Sequence, residues 1–149
     1  MKIVVVSDSH GNVANLRNVC GFAQKVKAGA IIHCGDWTDT KAVETVLEYG
    51  IPLYSVLGNG DISDNIKDKF REFMEIEIEG VKIGIVHGPR DIKKYFSKKK
   101  LDIIFYGHIH SQDEREISGV RLVRPGALEN KVEFAVYDTK KGRIEFIHE

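Results

Sequence analysis

Seven residues in five short motifs have the right side chains to hold metal ions. The motifs are Asp8-Ser9-His10, Gly35-Asp36, Gly58-Asn59-Gly60-Asp61, His87-Gly88 and Gly107-His108-Ile109-His110. The seven candidate ligands are Asp8, His10, Asp36, Asn59, His87, His108 and His110, and they include four of the six histidines of the chain. Nitrogen and oxygen donors without a thiolate suit two hard-to-borderline divalent ions, Mn²⁺, Fe²⁺ and Zn²⁺ among them. If one carboxylate bridges, each ion receives four protein ligands, with room left for a bridging water and a substrate. Two such ions ~3.5–4 Å apart generate hydroxide near neutral pH and clamp the attacking and leaving oxygens of a phosphoryl group. Two dications, two aspartates and a hydroxide sum to about one positive charge, which suits an anionic phosphoester. Asp and Asn also serve as ordinary cap and turn residues. Five motifs, each at the end of an apolar run, favour a shared site instead.

The runs that must position them read as strands. Residues 2–6 are a continuous apolar run, as expected for a strand covered on both faces. Asn12 is placed to cap a helix with Val13, Leu16, Val19, Cys20, Ala23 and Val26 on its apolar face. Strands follow at 30–34 and 53–57, separated by a helix that Asp39 can cap. Ser63 can cap a short helix with Ile66, Phe70 and Phe73 inward. The polar motifs of this β-α-β-α-β-α half fall at carboxyl ends of strands, where open α/β sheets bind ligands. The pattern then changes to a hairpin of period two, with Ile76 and Ile78 against Val81, Ile83 and Ile85. A helix with Ile92, Tyr95 and Phe96 leads into the strand 102–106, and the rest reads as strands at 115–117, 120–123, 132–137 and 144–147. Two mixed sheets packed face to face, with helices outside, accommodate both halves.

Composition bounds the function class. The 149 residues read as one domain, 1–149, with 22 Lys plus Arg against 22 Asp plus Glu. This balance gives no overall field for nucleic acid or an anionic membrane. No apolar run approaches the ~20 residues that span a bilayer. The start of the chain is too short an apolar run for a signal peptide. Cys20 and Cys34 fit two buried reduced thiols. The expectation is a soluble cytoplasmic protein acting on a small phosphoester, with homo-oligomerisation left open.

The ordered motifs DxH, GD, GN-x-D, HG and GHxH resemble the calcineurin-like metallophosphoesterase superfamily. The short length and the Ile32-His33-Cys34-Gly35-Asp36 context are similar to its small prokaryotic phosphodiesterases, a branch that also resembles the retromer scaffold subunit. The resemblance implies a four-layer α/β/β/α sandwich of two mixed sheets with a dimetal centre at one end. It implies two divalent ions per chain, Mn²⁺ favoured, with Fe²⁺, Ni²⁺ or Zn²⁺ as alternatives. The first ion would take Asp8, His10, Asp36 and His110; the second would take Asp36, Asn59, His87 and His108, with Asp36 bridging. It implies a phosphodiesterase using a bridging hydroxide, the alternatives being a phosphomonoesterase on the same site or a non-catalytic scaffold on the same fold.

Three departures bear on turnover. Gly60 stands where the family places the residue that protonates the leaving group, so the catalytic residues are read as Asn59 and, as the nearest titratable neighbour, Asp61. Arg124-Pro125-Gly126-Ala127 replaces a more polar closing motif, and Ile109 replaces a threonine. Asn12 and Arg90 are the candidate substrate contacts, Arg90 opening a basic cluster with Lys93, Lys94 and Lys98 to Lys100. Trp37 reads as a packing residue beside Asp36 that could also stack a base, and His33 as a core or supporting residue.

Overall fold

The computed structural model describes residues 1–149 as two five-stranded sheets, in orders β10-β9-β1-β2-β3 and β4-β5-β6-β8-β7. The first contains β1 (Lys2–Val6), β2 (Ala30–His33), β3 (Leu53–Ser55), β9 (Glu133–Asp138) and β10 (Arg143–His148). The second contains β4 (Phe73–Ile78), β5 (Val81–Val86), β6 (Ile103–Phe105), β7 (Gln112–Ile117) and β8 (Val120–Pro125). β1, β2 and β3 run parallel, β9 is antiparallel to β1 and β10 antiparallel to β9; β5, β6 and β8 run parallel between antiparallel β4 and β7. The four helices are α1 (Val13–Lys25), α2 (Thr40–Leu47), α3 (Asp64–Lys67) and α4 (Pro89–Phe96). The expected α/β sandwich of two mixed sheets is the fold observed.

The alternation along β1 shows how the layers are built. Ile3 and Val5 join a core between the sheets with Ile32, Ile83, Ile85, Ile103 and Phe105. Val4 and Val6 point the other way, onto Leu16, Val19, Val43 and Val46 of α1 and α2. A third cluster, with Val86, Ile104, Leu122 and Phe96, seats α4 on the far sheet. Three apolar seams therefore separate four layers, which is why β1 has no polar residue between Ile3 and Val6. Asn12 caps α1 by accepting the Asn15 N–H at 3.0 Å, and Asp39 caps α2 by accepting the Ala42 N–H at 3.0 Å. Cys20 and Cys34 are buried free thiols.

Several boundaries differ from the sequence reading. β3 stops at Ser55: the Val56 N–H still reaches the His33 carbonyl of β2 at 3.3 Å, but Val56 also bridges to Arg71 and the Leu57 N–H donates to the Arg71 carbonyl at 2.8 Å. Phe73 is not on the inner face of α3; it begins β4, is partly exposed, and stacks on Tyr95 with ring centroids 4.3 Å apart. Ser63 occupies the N-cap position of α3 without a side-chain cap bond. Trp37 is fully buried, stacked on His33 at 3.7 Å and donating to Ser55 Oγ at 2.8 Å, so it packs and presents no face to a ligand. No helix is long and apolar enough to cross a membrane.

Candidate metal centre

The parallel strands β1 and β2 of one sheet and β5 and β6 of the other end on the same side, and their tips interlock. The Asp8 N–H donates to the Gly35 carbonyl at 3.0 Å, His10 N–H to Asp36 O at 2.9 Å, and Gly107 N–H to His87 O at 2.8 Å. Two glycines permit this closeness. A Cβ at Gly107 would overlap Ser7 Oγ and lie 2.6 Å from Asp8 Oδ2, and one at Gly58 would overlap Asp36 Oδ1. Four motif residues also adopt left-handed backbone: Asp8 at φ 52°, His10 at 43°, Asp36 at 66° and His108 at 71°. Such backbone disfavours any residue with a Cβ, by roughly 1 kcal/mol or more, and persists where the surroundings hold it. Its concentration here marks the tips as a site.

The side chains converge. Asp8 is fully buried; its Oδ2 accepts from the Ser7 hydroxyl and from the His108 N–H at 3.0 Å. Its Oδ1 faces His110 Nε2 at 3.1 Å, His10 Nε2 at 3.7 Å and His87 Nε2 at 3.9 Å. Asp36 Oδ1 accepts the Gly60 N–H at 2.6 Å, while Oδ2 lies 3.4 Å from His10 Nε2 and 3.3 Å from His87 Nε2. Each carboxylate thus has one oxygen fixed by N–H or O–H donors and one turned to the imidazoles. Asp8, His10 and His110 form one group able to hold a metal, and Asp8, Asp36 and His87 form another. Asn59 Oδ1 and His108 Nδ1, 3.3 Å apart, stand at the mouth beside His87.

His87 carries the strongest sign of a cation. Its Nδ1 lies 2.8 Å from the Cys34 carbonyl, which can only accept, so Nδ1 holds the hydrogen. The neutral ring then presents a lone pair at Nε2, and that buried atom has no hydrogen-bond partner. It faces two carboxylate oxygens, an arrangement that repels unless a proton or metal lies between. Without a metal, a proton on Nε2 would relieve that repulsion. Burial pushes the His87 pKa down, but the hydrogen-bonding reach and charge of Asp36, and the charge of Asp8, raise it above the usual value. Burial likewise pushes Asp36 up, yet His87, the Gly60 N–H and His10 hold it down to about 2. The donor set therefore fits divalent ions: neutral nitrogens and ionised oxygens already face one another across a short gap.

The remaining sequence candidates separate by role. Asp61 is buried and accepts from three backbone N–H groups, those of Asp36 at 2.9 Å, Gly58 at 2.8 Å and Thr38 at 2.8 Å. Both of its oxygens are taken up by these donors, which tie the Asp36 and Asn59 loops together. Asn12 Oδ1 caps α1 and its Nδ2 donates to Glu129 O at 2.8 Å, so its capping role is the one seen. Arg90 lines the wall of an adjoining cleft of about 840 Å³ together with Asn59, His87 and His108. Three residues have a supporting role that the sequence does not assign them, although Arg124 opens the closing motif set apart above. Arg124 holds Ser111 through its carbonyl and hydroxyl, both at 3.0 Å, and so fixes the chain just after His110. The Ser7 hydroxyl pins Asp8, and Glu129 Oε2 lies 4.0 Å from both His10 Nε2 and His110 Nδ1. Their partners are set by the fold, so the local sequence does not show these roles.

The sequence model of the calcineurin-like phosphoesterase superfamily domain matches residues 1–142. A phosphodiesterase of Methanocaldococcus jannaschii is 25% identical over 138 residues, which cover 85% of this chain and 83% of that protein. A solved archaeal phosphodiesterase superposes with a TM-score of 0.86 at 22% identity, over 100% of both chains. Vps29 from Entamoeba histolytica, complexed with Zn²⁺, superposes with a TM-score of 0.69 at 16% identity, over 100% of this chain and 98% of that one. The two superpositions show a shared fold.

Proposed function

The chain belongs to the calcineurin-like phosphoesterase superfamily, and on that premise we propose that it is a dimetal phosphodiesterase. The single observation that carries the reading is the unpartnered Nε2 of His87, buried and facing Asp36 Oδ2 at 3.3 Å and Asp8 Oδ1 at 3.9 Å. Asp8, His10, Asp36 and His110 would hold one divalent ion, and Asp36, Asn59, His87 and His108 the other. The placement of Asp36 Oδ2 between His10 and His87 supports its role as the shared ligand. Two bound ions would supply Lewis acidity and, by lowering the pKa of a bound water, a hydroxide nucleophile near neutral pH.

The protein groups do the rest. The Ser7 hydroxyl and the His108 N–H keep one Asp8 oxygen from rotating into the centre. Asp61 and the Gly60 N–H hold the Asp36 loop and its carboxylate in register with His87. Asn59 and His108 face the cleft, where the phosphoester enters, and Arg90 on its wall is the candidate contact for the rest of the substrate. No side chain at position 60 can deliver a proton to the departing oxygen. Diesters with acidic leaving groups are therefore the favoured substrates, with Mn²⁺ the favoured ion.

The test is a pair of nitrophenyl substrates, the bis ester and the monoester, assayed with Mn²⁺ and with chelator. We expect chelator-sensitive turnover with the diester preferred by kcat/KM. Preference for the monoester would make the protein a phosphatase, and no turnover of either by fully loaded protein would favour a scaffold.

A further inference from the structure

The cleft beside the metal centre adjoins only part of the ligand set. Of the seven candidate ligands it reaches Asn59, His87 and His108, while Asp8, His10, Asp36 and His110 lie outside its wall. From there it runs between the 61–67 segment and the first turns of α4, where Lys67, Arg90 and Lys94 face it together with Asp61, Glu72 and Asp91. Three cations and three acids cancel formally, but the two sets are not equally free. Asp61 accepts from three backbone N–H groups, Asp91 accepts the Gly88 N–H at 3.3 Å, and Glu72 accepts from the Tyr95 hydroxyl. The exposed side chains of Lys67 and Arg90 have no hydrogen-bond or ion-pair partner in the protein, and Lys94 lies 4.9 Å from the centre of the Tyr95 ring. Lys93, Lys98, Lys99 and Lys100, the rest of the basic cluster, do not line the cleft, and Lys99 pairs with Glu75 at 3.6 Å.

Asn59 and His108 line the same cleft as the two free cations, so a phosphoester seated at that end shares its wall with them. We propose that Arg90 and Lys67 form a second anion subsite, selecting phosphodiesters whose retained portion carries another phosphate. This rests on the phosphoesterase reading for the first phosphoryl group. Arg90 offers a planar fork suited to two phosphate oxygens, and Lys67 a compact charge lining the same cleft. Both bind without first breaking an internal ion pair, which makes them more effective than equally exposed but engaged cations.

The test is titration calorimetry of the Mn²⁺-loaded protein with a nucleoside monophosphate and a nucleoside bisphosphate bearing one phosphate at each end of the ribose. The bisphosphate should bind about tenfold tighter or more. In an Arg90→Ala, Lys67→Ala double variant that keeps its circular dichroism and two ions, that ratio should fall toward one. A wild-type ratio near one, no binding of either ligand, or an unchanged ratio in the double variant would overturn the subsite. Binding is read without turnover, so the two readings fail separately. Equal binding with retained diester cleavage removes only the subsite; a kept ratio without any cleavage removes only the enzyme.

Discussion

The Gly60 N–H donates to Asp36 Oδ1 at 2.6 Å, so the residue that lacks a side chain still anchors the carboxylate proposed to serve both ions. In-line displacement needs a proton for the leaving oxygen, and a positioned general acid is typically worth ~10²–10⁴-fold. Glycine offers only that N–H, already engaged. Rates for the wild type should fall steeply as the leaving-group pKa rises, and Gly60→His should flatten the dependence, with the gain confined to poor leaving groups. A Cβ here would lie 3.1 Å from Asp36 Oδ1, so Gly60→Ala serves as the steric control. A wild-type slope already near zero, with chemistry rate-limiting, would mean that another group delivers the proton.

Asp61 is expected to act on stability and on the metal site together. Its carboxylate satisfies three backbone donors from the Asp36 and Asn59 loops. A hydrogen bond to a charged group is worth about 1.5–3 kcal/mol, and buried donors left alone cost more. Asp61→Ala should lower the unfolding free energy by roughly 3 kcal/mol in urea titrations and weaken Mn²⁺ binding as well. Unchanged stability in the variant would show that water replaces the carboxylate without loss.

His33 sets a pH dependence of known sign. The Gly35 N–H donates to its Nδ1 at 3.0 Å, so Nε2 carries the hydrogen and donates to Ser9 Oγ at 2.9 Å. Full burial, then the charge of His87, hold its pKa well below the usual value. The unfolded chain therefore binds a proton that the native ring refuses. The associated stability is present above about pH 6.5 and is lost as pH falls below it, by about 1.4 kcal/mol per unit. Wild type compared with His33→Gln in urea melts at pH 7.5 and 5.5, a range of about two units, should show the larger acid loss in the wild type. Equal losses would place the titration elsewhere.

Much of this was legible because period and position coincide. The apolar run of β1, the caps Asn12 and Asp39, and the five motifs each carry a local signal, and each motif lies at a strand tip or the turn after it. What escaped were relations with no local signal. Arg124 reads only as a change in the closing motif until its guanidinium is seen holding Ser111. Asp61 reads as the nearest titratable neighbour until its three backbone donors are counted. The split of the basic cluster into Arg90 and Lys94 at the cleft and Lys93 and Lys98 to Lys100 away from it depends on the orientation of α4. Lys67 joins them from a segment more than twenty residues earlier, so no window of sequence would have grouped them.

The two ions should be separable by histidine. His87→Ala should empty the site it shares with Asn59 and His108 while leaving the other largely occupied, and His110→Ala should do the reverse. Metal content after gel filtration reads this directly. Because both residues sit at strand tips, activity should fall far more than stability. Loss of folding in His87→Ala would identify it as a structural residue instead.

The central claim is that one carboxylate joins two metal sites, and the most direct measurement is the Mn²⁺ stoichiometry of wild type and Asp36→Asn. Metal analysis with titration calorimetry should give two ions per wild-type chain. In the variant both sites should weaken together, with the fold retained by circular dichroism. A wild type that saturates at one ion, or a variant that loses one site and keeps the other at full affinity, would contradict the account.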